Sequence, residues 1–290
     1  MSLRRPLFLV VTASLFVIAP AFAASPECTA QGQIDVTKID PQVILIGEAH
    51  GTNELPRFTG ELVCSLLKAG KSVILAIEQD GDEQDGLNRY LRSAGTANDR
   101  RILLRTRTWG TYSDGRGSVA MFDLVEAMRV QRQVGQRVGV LAFRRADNLE
   151  VPMEEADRAR LSPADNALQN RLGDIDMADR ILYAAILYRR YVVVVLAGFS
   201  HTSTVPYASK DPYFMSYLPM GLVVTSQMPT YTIGFDSAGG EQWALGQGGG
   251  KARPIDAGNL FVTGTKVDAL VHFDKLTASP PARGVAGEAR

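Results

Sequence analysis

Four short apolar runs constrain this chain more than anything else in it: Val43–Ile46 (VILI), Ser72–Ile77 (SVILAI), Arg137–Phe143 (RVGVLAF) and Tyr191–Ala197 (YVVVVLA). Each is strand-sized and rich in β-branched residues. None alternates apolar with polar, so each reads as a strand buried on both faces. Helical spacing fills the gaps between them. Asn53–Lys68 carries Leu55, Phe58, Leu62, Val63 and Leu66 on one stripe, with Pro56 in its first turn and Gly70 as its stop. Gln84–Arg92, a helix capped by Ser118 and closed at Gly135, and Asp174–Arg190 follow the same logic. Leu222–Ser226, Tyr231–Phe235 and Asp268–Phe273 read as further strands, and the glycine-rich 238–250 as a mobile loop. Strand and helix in alternation predict an α/β fold: a mostly parallel central sheet flanked by helices, in a single domain with inserted helical and loop excursions. At 46% hydrophobic over 290 residues, one large core is well supplied.

The two ends stand apart from this pattern. Arg4 and Arg5, the apolar run Leu7–Ala19 and Ala21-Phe22-Ala23 form the charged, apolar and cleavage regions of a signal peptide over residues 1–23. Residues 24–40 read as an irregular N-terminal segment, 41–277 as the folded domain, and 278–290, rich in Pro, Gly and Ala, as a disordered tail. No later apolar run is long enough to span a bilayer. The expectation is an exported protein, periplasmic if the cell is Gram-negative. Export favours a disulfide between Cys28 and Cys64, with a buried thiol at Cys64 and an exposed one at Cys28 as the alternative. The formal net charge is zero and no basic stripe occurs, which argues against a nucleic-acid partner.

The residues just past each buried run matter most for chemistry. Glu48 and His50 come after the first, Glu78 after the second, and His201 after the fourth. In open parallel sheets, ligands bind outside the carboxyl ends of the strands. Two glutamates and two of the three histidines are therefore expected to converge in one cleft. Each has a plainer explanation alone: a helix-start acid, or a hydrogen-bonded loop histidine. Their joint placement on three strand ends favours a site. A histidine flanked by carboxylates suits activation of a water. The same four side chains are donor types that a divalent metal takes, so both chemistries stay open. Arg57 and Arg116 are candidates to hold an anionic group of the substrate, and Trp109 to line a pocket or pack beneath its loop. His272 lies inside a strand pattern. No nucleophile elbow, phosphate loop or dinucleotide fingerprint stands at the relevant turns.

Gly47-Glu48-Ala49-His50-Gly51-Thr52, the strand-end Glu78, Asp174 with Met177-Ala178, and Gly198…His201 resemble the superfamily of ChaN-like haem-binding proteins, erythromycin-esterase-like hydrolases and Tiki proteases. The resemblance covers most of residues 40–277 and implies an α/β core with a cleft lined by those side chains. In the esterase-like branch it implies that His50 activates water. In the ChaN-like branch it implies a haem- or iron-complex-binding protein without turnover, with Tyr207 and Tyr213 as candidate ligand contacts. Two departures stand out: the first motif is one residue shorter than the esterases' form, and Phe199 and Gly173 occupy positions where that family carries asparagine and arginine. A small-molecule or haem-like ligand is expected in either case.

Overall fold

The computed structural model describes residues 34–111, 114–144, 163–206, 218–245, 250–258 and 267–283. The proposed signal peptide, Cys28, most of the 144–172 excursion, Tyr207, Tyr213 and residues 284–290 lie outside the described residues.

Six parallel strands form the central sheet: β1 (Val43–Glu48), β2 (Ser72–Asp80), β3 (Val138–Arg144), β4 (Tyr191–Gly198), β5 (Thr230–Ser237) and β8 (Ala269–Phe273). Their order is β3-β2-β4-β1-β5-β8. Parallel neighbours need crossovers, and helices supply them. On one face lie α1 (Glu54–Lys68), α2 (Gln84–Arg92), α3 (Ala97–Leu103), α4 (Arg107–Thr111) and α5 (Val119–Gln133). The other face is covered by α6 (Pro163–Leu187) and α8 (Met220–Gln227); α7 (Phe199–Thr202) is a single turn beyond β4.

The alternation of a strand explains why the runs look continuous. Ile44, Ile46, Leu75, Ile77, Val194 and Leu196 face Leu55, Phe58, Met121 and Val125. Their neighbours Val43, Leu45, Ile74, Ala76, Val193 and Val195 face Met177, Ala178, Ile181 and Val224. Both faces are sealed, so every residue of β1 and β2 is buried.

The edge strand β3 is not left bare. The Gln84 amide donates to the Val140 carbonyl at 2.9 Å and accepts from Ala142 N–H at 2.8 Å. Arg132 Nη1 donates to Val138 O at 3.0 Å.

Several sequence expectations need correction. Leu222–Ser226 is part of helix α8, not a strand. Its apolar residues suit either state, but parallel β4 and β5 require a crossover, and Met220, Gly221 and Val224 bury one helical face. Within 238–250, Gly240–Ala244 forms strand β6, which pairs antiparallel with β7 (Lys251–Ile255) just beyond the region, while 246–249 lie outside the described residues. Gly240 serves close approach there: its φ is +144° and a Cβ would run into the Leu276 carbonyl. The segment 278–283 is structured, through bridges Thr52–Ala278 and Ser118–Pro281. Helix α6 begins at Pro163, well before Asp174, with proline where a helix start accepts it. Cys64, on α1, is disulfide-bonded. No helix of the described residues is long and apolar enough to cross a membrane.

Candidate functional site

The carboxyl ends of β2, β4 and β1 lie side by side, with β4 in the middle. Glu48 is the last residue of β1 and is 1% exposed. The chain turns immediately after it, bringing His50 back so that its Nδ1 meets Glu48 Oε1 at 2.6 Å. A carboxylate offers only acceptors, so that contact places a proton on Nδ1 and aims Nε2 the other way. Glu48 Oε2 is buried without a hydrogen-bond partner.

His50 Nε2 points across the end of β4 to Glu78 Oε2, 3.3 Å away. Gly198 makes this possible. It ends β4 in register with Glu48, and its N–H donates to Glu78 Oε2 at 2.9 Å. A Cβ there would stand 3.0 Å from His50 Nε2 and 3.5 Å from Glu78 Oε2. The glycine leaves the space in which the side chains of two non-adjacent strands meet.

The other Glu78 oxygen lies 3.7 Å from His201 Nε2, and 3.7 Å from Arg116 Nη1. His201 sits on the turn α7 and is oriented by Asp174 of α6, whose two oxygens are 3.0 and 3.1 Å from its Nδ1. Asp174 is fully buried and also accepts from Met220 N–H at 2.8 Å. Both imidazoles therefore share one plan: a buried carboxylate on Nδ1, and Nε2 turned toward Glu78.

Arg116 arrives from the loop before α5. Asp114 holds its Nε at 2.9 Å and its Nη2 at 2.7 Å. Gly115, between them, has a φ of +99° and packs so closely on the His50–Gly51 backbone that no Cβ would fit.

Charge in this cluster is strongly coupled. Burial disfavours an imidazolium at His50, yet Glu78 and Glu48 outweigh it and raise the pKa to about 10. At His201 burial again opposes the charge, and Glu78 with Asp174 raises the pKa above 6.5. Glu78 would be raised by burial, but His201, His50 and Arg116 hold it well below the usual carboxylate range. Burial likewise opposes the Asp114 carboxylate, and Arg116 overcomes it.

The structure thus brings together Glu48, His50, Glu78, His201 and Arg116. It does not bring in Arg57, which lies on the outer face of α1, 68% exposed, with Nε 3.4 Å from Glu61 one turn on. Trp109 lines no cleft. It is 1% exposed and packs edge-on against Phe122, at 6.0 Å between ring centroids. His272 is an exposed residue of the edge strand β8, 2.7 Å from Asp236.

Two carboxylates were absent from the sequence-derived site. Asp174 appears in the resemblance only as part of a motif. Its signal was an acid standing three and four residues before the inward-facing Met177 and Ala178, where the helix has no water to offer. Asp114 had only its proximity in sequence to Arg116.

For a metal, the donor set does not fit as it stands. Among the described residues no three His, Cys, Asp or Glu side chains are arranged to hold an ion, although a carboxylate on each Nδ1 is the usual outer partner of a metal-bound imidazole and leaves both Nε2 atoms facing Glu78. For haem iron the obstacle is Glu78, which lies within 3.7 Å of both Nε2 atoms and would have to be displaced.

No protein-family model and no curated protein matches the sequence. Solved structures do match. A succinoglycan biosynthesis protein aligns at TM-score 0.55 and 13% identity, covering 83% of this chain and 89% of its own. A mutant of erythromycin esterase EreC in its open conformation aligns at 0.55 and 13%, covering 75% of this chain and 76% of its own. A protein from Bacillus cereus aligns at 0.54 and 13%, covering 82% and 90%. The fold expected from the motif resemblance is the fold observed, and at these identities the likeness is one of fold.

Proposed function

We propose that this chain is an exported hydrolase-type enzyme, similar in kind to erythromycin-esterase-like proteins, that activates water at the carboxyl rim of its sheet. Export rests on the Arg4-Arg5 pair, the apolar run and the Ala-Phe-Ala site of residues 1–23. One observation carries the chemistry: two imidazoles, each fixed at Nδ1 by a buried carboxylate, converge through Nε2 on a single glutamate.

A carboxylate on Nδ1 sets the tautomer and orientation of a histidine and strengthens it as a base. His50 is the base in this reading, with Glu48 as its orienting carboxylate. His50 rests as an imidazolium, so it must first release its Nε2 proton before it can take one from water. Glu78, 3.3 Å away, is far too weak a base to take that proton; its charge holds and orients the imidazolium, and the proton leaves to solvent. His201, held by Asp174, faces the same space and supplies a proton to the leaving group. Arg116 is a cation whose charge is held in place by Asp114, suited to stabilise a developing oxyanion.

The test is a panel of chromogenic esters, lactones and amides with the wild type and His50→Ala. Hydrolysis lost in the variant, with an unchanged circular dichroism spectrum, supports the reading. Hydrolysis that survives the substitution overturns it.

A further inference from the structure

The chain beyond β8 comes back over the site. Four segments meet at Gly51, the residue after His50. Its carbonyl accepts from Ser279 N–H at 2.7 Å and from Trp243 N–H, on the ribbon, at 2.9 Å. Gly115 packs against its amide, and its own φ of +77° fits no other residue well.

The contact with Ser279 belongs to a longer seam. Asn53 N–H donates to Thr277 O at 3.0 Å, and Thr277 N–H donates to Glu54 at 2.9 Å. On its other side the same segment closes the start of α5. Val119 N–H donates to Pro280 O at 2.8 Å, Ala120 N–H to Ser279 Oγ at 2.9 Å, and Ala282 N–H to the Gly117 carbonyl at 2.9 Å. The amides of Val119 and Ala120 lie in the first turn of the helix, where backbone donors have no partner within the helix. Ser279 is wholly buried between the two attachments.

We propose that residues 277–282 are a positioning strap for the site, with Ser279 as its central positioning residue. Through its N–H it holds the His50 loop, and through its hydroxyl it holds the helix whose preceding loop carries Arg116. The two loops come from sequence segments more than sixty residues apart and touch through the backbones of Gly115 and Gly51, and the strap is bonded to both. The strap adds hydrogen bonds that lock this packing in place. A constellation of this kind works only when held to within about 0.5 Å, so the segment fixes chemistry as well as fold. The inference rests on the proposed function only in calling the strapped groups catalytic.

The experiment needs no substrate, which keeps its failure distinct from failure of the hydrolase reading. The chain has three histidines, so 15N labelling of histidine resolves every imidazole, with His272 on the exposed edge strand as the internal control, and 15N labelling of arginine reports the Arg116 Nε–H, assigned by its loss in Arg116→Lys. Ser279→Pro removes the N–H to Gly51, Ser279→Ala removes the hydroxyl, and Ser279→Thr keeps both. The expected result is that S279P shifts the His50 imidazole resonances, S279A shifts the Arg116 Nε–H signal, S279T restores the wild-type positions, and His272 stays fixed throughout. His50 signals unmoved in a folded S279P protein overturn the proposal. Where S279P does not fold, S279A decides alone: unmoved Arg116 and His50 signals overturn it, and a shift reversed in S279T upholds it.

Discussion

Glu78 and His50 face one another across the end of a strand that belongs to neither: Oε2 and Nε2 are 3.3 Å apart, over a glycine whose N–H also binds that oxygen at 2.9 Å. One carboxylate therefore answers to two imidazoles, a guanidinium and a backbone amide. Its charge dominates the electrostatics of the site.

Replacing Glu78 with glutamine keeps the shape and deletes that charge. Glu78 is the foremost cause raising both histidines, so E78Q is expected to bring the His50 pKa down from about 10 toward its ordinary 6.5, and to lower His201 as well. Hydrolysis should set in at lower pH, with a maximal rate reduced by about 10²-fold because the carboxylate that positions both imidazoles no longer holds them by its charge. Imidazole 15N shifts recorded against pH measure the first effect. A His50 titration unmoved by E78Q would show that the carboxylate does not set it.

The pH dependence of stability has a definite sign. The pKa of His50 is higher folded than unfolded, so its contribution is complete below about 6.5 and is lost as pH rises through about 10. His201 acts in the same direction. Activity that needs a deprotonated His50 should rise across the window in which stability declines. Urea midpoints and hydrolysis rates measured together across it should move oppositely. A rate that peaks below 6.5 would remove His50 as the base.

Gly198→Ala tests the shared space directly. A Cβ 3.0 Å from His50 Nε2 forces the ring aside at the rim of the sheet, away from the apolar core. The expected outcome is a small change in Tm with about a 10²-fold loss of activity, as misplacement on the ångström scale produces. Full activity in G198A would contradict the geometry described for the site.

Arg57 and Trp109 make a contrasting pair. Arg57→Ala is expected to leave hydrolysis unchanged and to alter stability by less than about 0.5 kcal/mol, as for an exposed side chain with one weak ion pair. Trp109→Ala empties a core position and is expected to cost about 3–5 kcal/mol by chemical denaturation. A large loss of activity in R57A would restore it to the site.

How much of the fold and the site was legible in the sequence varies with the physical cause. The buried strands were readable because a sheet sealed on both faces demands unbroken apolar runs. The convergence of Glu48, His50, Glu78 and His201 came from parallel strands sharing one rim. Arg57 went astray although the helix period already placed it on the same outer face as Glu61, opposite Leu55 and Phe58. The pairing of Asp174 with His201 was not readable, because it depends on how α6 lies against β4. The strap left least trace. Its contacts run through backbone amides and carbonyls, which every residue owns, so Ala278–Ala282 read as slack.

The amide of Gln84, lying along β3 where another strand would otherwise bind, has a consequence for how molecules of this protein behave toward one another. It closes a sheet margin that could template pairing with a second copy. Gln84→Leu would uncover that margin, and the expected result is concentration-dependent self-association, seen by light scattering, in a protein that still folds. One uncharged side chain would then stand between this sheet margin and a second copy of it.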